Sequence, residues 1–249
     1  MSSPSTVYFI TGAGRGIGLG LTSTLAARPD VLVFAGARAP EKADALNALA
    51  KETGRVVVVK IDTTSDEDHK AAAELVKEKA GRVDVVIANA GIAEGWGPIA
   101  TAPLDLYTRH FETNVVGPLR LYQSLAPLLQ ASTKPQFLGM SSTIGSNTLR
   151  IPMLTAPYGV SKAALSHLVV KMHVEGEKDN LTAWVTHPGL VGSDMGAEAA
   201  RQVKEALGVD VPTITVEESV TGLLKLIDNA TRESVGGKFV QYDGAELPW

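Results

Sequence analysis

A chain of 249 residues, 45% of them hydrophobic, can bury a sizeable core and sits at the upper edge of what one domain holds, so a single domain over residues 1–249 is expected. A net charge of −4 without a dense Lys/Arg run argues against nucleic acid or an anionic membrane surface as partner. The absence of cysteine excludes disulfides and thiolate chemistry, and five histidines without HxH or HExxH spacing give no support for a metal site. The opening MSSPSTVYFITG has no basic stretch leading into a long apolar run, and the later apolar stretches are shorter than a membrane span, so a cytoplasmic protein is expected.

The first β-rich run, VYFIT at 7–11, leads directly into TGAGRGIG at 11–18 and a helical pattern at 17–27. Glycine lets backbone approach a pyrophosphate, and the helix start offers free N–H groups and a partial positive charge. Gly12, Arg15, Gly16, Ile17 and Gly18 are therefore candidate dinucleotide-binding residues. Such a cluster also has a purely structural reading as a tight turn, but its place in the first βα unit of an alternating chain favours the cofactor. The second run, VLVFAGA at 31–37, is followed by Arg38, where an NAD site usually offers an acidic side chain. Arg38 and Arg15 suit a 2′-phosphate in fork geometry, so the expected cofactor is NADP(H).

A helical stretch at 41–53 precedes RVVVVKI at 55–61, which closes on Asp62. Asp62 either accepts from an adenine amino group or caps the next helix, 66–80, for which Ser65 is a plausible N-cap and Gly81 the terminator. VDVVIANA at 83–90 brings Asn89, Ala90 and Gly91 to the sheet edge where ligands bind, or makes an ordinary strand-end turn there. A helical pattern over 104–130 contains Asn114, a poor helix former followed by Gly117 and Pro118, so its side chain is expected to do more than pack. QFLGMSS at 136–142 ends on Ser141 and Ser142, either of which can hold a carbonyl oxygen.

Helix 158–178 opens with Tyr158 and Lys162, one turn apart on one face. A phenol normally loses its proton near pH 10, and a neighbouring ammonium lowers that value toward a range useful for acid/base work. LTAWVTH at 181–187 follows, then a less regular stretch at 192–216 with a weak helical pattern, read as a flap. A helix at 217–228 and a last strand, GKFVQY at 237–242, complete the chain. Strands that are continuously apolar and alternate with helices imply an α/β, doubly wound sheet of about seven mostly parallel strands.

Several of these motifs stand in a recognisable order: Thr11, Gly12, Gly16 and Gly18 as TGxxxGxG; Asn89, Ala90 and Gly91 in ANAG; Asn114 in NVVG; Tyr158 and Lys162 as YxxxK; Pro188 and Gly189 as PG, followed by Ser193. With them the chain resembles the short-chain dehydrogenase/reductase family over residues 7–242. The resemblance implies a Rossmann-like domain and a tetrad of Asn114, Ser142, Tyr158 and Lys162 working with NADPH. In that scheme Tyr158 protonates the carbonyl oxygen, Lys162 holds the nicotinamide ribose and depresses the tyrosine pKa, and Asn114 positions a water. Pro188, Gly189, Val191 and Ser193 would lie at the nicotinamide, unless PGLVGSD is a plain loop with a helix cap.

The stretch between serine and tyrosine is longer than the family pattern, which keeps Ser141 and Ser146 open beside Ser142. That length resembles the carbonyl-reductase branch of C-factor, sniffer and norsolorinic acid ketoreductase-like enzymes. The implied reaction is hydride transfer to a small-molecule carbonyl. Trp96, Ile144, Met153, Leu154 and Met195 are the expected lining, which points to a bulky, apolar, polyketide-like compound. The alternatives are a non-redox relative acting in binding, isomerisation or cyclisation, and an NAD-linked alcohol dehydrogenase. Helices 104–130 and 158–178 carry apolar residues on more than one side, so a homodimer or homotetramer is expected through them.

Overall fold

The order of chain entry into the sheet decides where a ligand can sit. In the computed structural model, which describes residues 6–249, the strands are β1 (Thr6–Ile10), β2 (Val31–Ala37), β3 (Val56–Lys60), β4 (Val85–Ala88), β5 (Gln136–Met140), β6 (Thr182–His187) and β7 (Phe239–Gln241). They lie in the order β3-β2-β1-β4-β5-β6-β7. Every pairing between these strands is parallel, where the sequence implied a mostly parallel sheet. Winding runs outward from β1 in one direction and from β4 in the other, so a crevice opens between their C-terminal ends. The glycine loop leaves β1 and the Asn89–Gly91 turn leaves β4, so both motifs meet at that crevice.

Helices α1 (Gly16–Ala26), α2 (Asp44–Thr53), α3 (Asp66–Ala80), α4 (Leu104–Phe111), α5 (Gly117–Gln130), α6 (Ala156–Glu175), α7 (Asp194–Leu207) and α8 (Val216–Asp228) connect the strands. The alternation along β1 divides the core. Tyr8 and Ile10 pack with Leu21, Leu25, Leu46, Leu223 and Ile227 on the α1, α2 and α8 side. Val7 and Phe9 pack with Val76, Leu121, Leu125, Leu165 and Val169 on the α3, α5 and α6 side. Each such side chain, fully buried, contributes roughly 1.5–3 kcal/mol, which is why the strands are apolar on both faces. Ser65 does cap α3, accepting from the Asp68 amide at 3.1 Å, and Gly81 ends it in the left-handed conformation at φ +70°.

Three sequence expectations are corrected. The helix expected over 104–130 is broken: α4 and α5 are joined by a π-helical turn, Glu112–Val116, with Asn114 inside it. Gly117 follows this turn, packed so closely on Thr63 that an added Cβ would lie 2.9 Å from Thr63 Cβ. The helix expected at 158–178 starts two residues earlier and stops at Glu175, where Gly176 interrupts it. The stretch 192–216 contains a regular helix, α7, whose N-cap Ser193 accepts from the Gly196 amide. Val203 is the one buried residue of α7, so its apolar pattern is too thin to announce a helix.

Candidate active site

The glycine loop is shaped to receive an anion. Gly12 and Gly16 take left-handed φ of +66° and +54°, and a Cβ on Gly18 would lie 2.2 Å from the Gly12 carbonyl oxygen, so only glycine lets α1 start this close to β1. No side chain caps the N-terminus of α1, whose cap residue is Arg15. Its first N–H groups therefore still have capacity for a phosphate. Ile17 packs its side chain against the core beneath the loop. Asn89 braces the loop from β4: its side-chain amide donates to the carbonyls of Thr11 (2.9 Å) and Gly12 (3.3 Å). Thr11 Oγ1 in turn accepts from the amides of Asn89 and Ala90.

The remaining cofactor candidates spread along the same edge. Arg38 is exposed just after β2, and its charge helps hold the nearby Asp62 carboxyl below its usual range, behind the larger effect of hydrogen bonds from Thr64. Asp62 caps no helix; its Oδ1 accepts from the amide and hydroxyl of Thr64 in a local turn, and Ser65 is the α3 cap. Arg15 reaches across to Asp194 at the start of α7, an exposed ion pair that ties the flap to the glycine loop. Pro188 accepts from the buried Ser219 hydroxyl at 2.6 Å, and Gly189 has φ +87°. Val191 is buried and bridges to Ile214. Ser193 is an N-cap, as the simpler reading of its loop held.

Tyr158 and Lys162 share a face of α6. Lys162 is only 4% exposed, donates from Nζ to the Met140 carbonyl at 2.7 Å, and sits 5.5 Å from the centre of the Tyr158 ring. Gly91 packs beside both Asn114 and Lys162: an added Cβ would lie 3.0 Å from Asn114 Oδ1 and 3.4 Å from Lys162 Nζ. Ser142 arrives by an equally close approach. The 3₁₀ turn Thr143–Gly145 lies on α6 so tightly that a Cβ on Gly145 would be 2.8 Å from the Ala163 amide nitrogen. Ser142 Oγ accepts from the Ile144 amide, and the serine side chain lies close enough to the Tyr158 phenol to favour its ionised form.

The three candidate serines make different contacts. Ser141 is buried with its hydroxyl bonded to Ser166 at 2.8 Å and to the Lys162 carbonyl. Ser146 donates to the Pro248 carbonyl at 2.8 Å and accepts from the Leu149 amide, bracing the long loop. Ser142 is the one of the three whose side chain pulls the Tyr158 phenol down against burial.

Burial pushes the Tyr158 phenol up to about 12, and Ser142 pulls the other way. Burial pushes Lys162 down to about 8, because its ammonium has little solvent. Asn114 offers its side chain to protein: Oδ1 accepts from the Ile92 amide, and Nδ2 donates to the Ile92 carbonyl and to Ser161 Oγ, each at 2.9 Å. Ser161 donates on to the Tyr158 carbonyl at 2.7 Å, so Asn114 fixes both the β4 exit loop and the first turn of α6.

One neighbour escaped the sequence reading. His110, fully buried on α4, stands edge-on to the Tyr158 ring with centroids 6.4 Å apart and planes at 74°. The available signal was its position four residues before Asn114, on the same helix face.

The short chain dehydrogenase model matches residues 6–204. The chain belongs to the short-chain dehydrogenase/reductase family. The norsolorinic acid ketoreductase of Emericella nidulans is 38% identical over 258 residues, covering 100% of this chain and 95% of its own. The enzyme of that name from Aspergillus parasiticus is also 38% identical, over 98% of this chain and 91% of its own. Among solved structures, the NADPH-bound carbonyl reductase from chicken fatty liver superposes with a TM-score of 0.88 at 30% identity, covering 99% of this chain and 100% of that one. The protein is therefore an oxidoreductase of this family.

In this short-chain dehydrogenase/reductase a cleft of about 230 Å³ opens between α7 and the loops at 96–97 and 152–154. Trp96, Met153, Leu154, Val203, Ala206 and Leu207 make most of its walls, with the polar Gln202 and Glu205 on the α7 side. Ile144 and Met195, expected in the lining, do not contribute: Ile144 packs on Gly159 of α6, and Met195 is exposed on α7. The Gly97 amide donates to the Leu154 carbonyl at 2.8 Å, which ties the cleft to the residues just before α6 and Tyr158. No helix among the described residues is long and apolar enough to cross a membrane.

Proposed function

We propose that the protein is an NADP(H)-dependent reductase that turns the ketone or aldehyde carbonyl of a bulky, largely apolar, polyketide-like compound into an alcohol. The observation that carries this reading is the Tyr158 phenol with Lys162 Nζ 5.5 Å from its ring centre, beside Gly91 of the β4 exit, at the crevice shared with the glycine loop. When bound, NADPH supplies the hydride for the carbonyl carbon. The chain does the rest.

Gly12, Gly16, Gly18 and the uncapped start of α1 are arranged for the pyrophosphate. Arg38, which makes no hydrogen bond among the described residues, is available to a 2′-phosphate, and Arg15 joins it by exchanging its Asp194 partner. Lys162 keeps one N–H on Met140 and offers the other two to a ribose. Ser142 Oγ accepts from the Ile144 amide and keeps its one O–H to offer to a carbonyl oxygen. As negative charge develops on that oxygen, Tyr158 passes it the phenolic proton, because an alkoxide is a far stronger base than a phenolate even one raised to about 12. The Lys162 ammonium, 5.5 Å from the ring centre, then stabilises the phenolate left behind.

The names of the relatives support a carbonyl substrate, and the apolar walls of the cleft support a bulky one. The test is consumption of NADPH and NADH by purified protein with a panel of bulky ketones, quinones and aldehydes. Carbonyl-dependent oxidation of NADPH in preference to NADH, with the preference lost in Arg38→Ala, is the expected result. Indifference to every carbonyl, or a preference for NADH that Arg38→Ala leaves unchanged, overturns the proposal.

A further inference from the structure

We infer that His110 is a positioning residue for Tyr158, an inference that rests on Tyr158 being the proton donor. His110 lies in the last turn of α4 and is fully buried. Its Nδ1 is 2.7 Å from the Leu106 carbonyl oxygen, which can only accept, so Nδ1 carries the proton. Nε2 then has a lone pair to offer and accepts from the Glu94 amide at 3.0 Å. Both ring nitrogens are committed to backbone, so the imidazole has no free site from which to move a proton. What remains free is the ring itself, and it meets Tyr158 edge-on, the arrangement that aromatic quadrupoles favour.

The same side chain holds a second structure in place. Loop residues 92–97 lie on α4, with Gly95 at φ +73° where an added Cβ would be 2.2 Å from Leu106 Cδ1. His110 secures this loop at Glu94 and Asn114, one turn on, secures it at Ile92. The loop carries Trp96 into the substrate cleft. One imidazole thus couples the substrate wall to the tyrosine ring, and a different substitution removes each half of that coupling.

His110→Gln keeps an acceptor for the Glu94 amide and loses the aromatic edge; His110→Phe keeps an edge and loses the acceptor. We expect His110→Gln to lower kcat about ten- to a hundredfold with little change in KM for the carbonyl compound or in NADPH affinity, the size of effect that sub-ångström displacement of a reacting group produces. His110→Phe raises KM by loosening the Trp96 loop and leaves kcat near wild type. A readout independent of turnover is the ring signal of Tyr158 in tyrosine-labelled protein by NMR, assigned by its loss in Tyr158→Phe. It should move in His110→Gln and stay in place in His110→Phe. An unmoved signal in His110→Gln, or equal loss of kcat in both variants, overturns the positioning role. If wild-type protein oxidises NADPH with no carbonyl compound, the proposed function fails, and the Tyr158 signal still decides whether His110 sets the ring.

Discussion

Replacing Lys162 with methionine should change how stability depends on pH as well as abolish turnover. The lysine is pushed from its usual 10.5 to about 8, a penalty of about 3 kcal/mol for carrying a charge in the folded core. Below pH 8 the group is charged in both states, and the folded state bears the whole penalty. Between pH 8 and 10.5 the folded lysine is neutral while the unfolded one still holds its proton, so stability rises with pH by up to about 1.4 kcal/mol per pH unit. Above 10.5 there is no further change.

Methionine removes that dependence. At pH 7 it relieves the charge penalty but forfeits the charge-assisted bond to Met140 and leaves a buried carbonyl unpaired, a loss of roughly 2–3 kcal/mol, so the two proteins should be nearly equally stable there. Urea denaturation midpoints measured from pH 7 to 9.5 should then diverge, with wild type gaining about 2 kcal/mol over the variant. Above pH 10 the raised Tyr158 acts in the opposite sense, because the unfolded phenol ionises first and stability is lost up to about pH 12. Parallel curves for wild type and Lys162→Met below pH 9.5 would refute the picture of a buried, destabilised ammonium.

The serines separate by kinetics: Ser142→Ala should lower kcat about 10²-fold as a donor to the developing oxyanion is lost, whereas Ser146→Ala, which frees the loop from Pro248, should raise KM and spare kcat. Steady-state assays distinguish them, and equal effects would contradict the assignment. Gly18→Ala forces a Cβ to within 2.2 Å of the Gly12 oxygen, so NADPH affinity by fluorescence titration should collapse, and unaltered affinity would mean the loop is not the cofactor cradle. Leu104 and Phe111 on α4 and Val160 and Val174 on α6 are large apolar side chains left exposed, so light scattering at micromolar concentration should show self-association that Phe111→Glu reduces; monomer throughout would count against it.

The parts of this site that were legible before the structure are those with a rigid local cause. A strand running into Gly12, Gly16 and Gly18 has few other solutions, and Tyr158 with Lys162 one turn apart must share a face whatever surrounds them. The π-helical turn was legible only as a poor helix former beside Gly117 and Pro118, since Asn114 within it exchanges two hydrogen bonds with Ile92, 22 residues earlier. The contacts that distinguish Ser141, Ser142 and Ser146 depend on the close approach of Gly145 to α6 and on Pro248, about a hundred residues beyond, both tertiary. His110 carries no motif of its own, because its role lies in a ring contact across 48 residues of chain. Spacing likewise reports the cation near Tyr158 but not the burial that raises the phenol.

Whether Tyr158 delivers the proton is tested most directly by Tyr158→Phe, a variant lacking one oxygen atom. With NADPH and an accepted ketone, turnover should fall by about 10²–10⁴-fold or more while NADPH binds as it does to wild type. A variant that binds cofactor normally and still reduces the ketone at a rate near wild type would contradict the account.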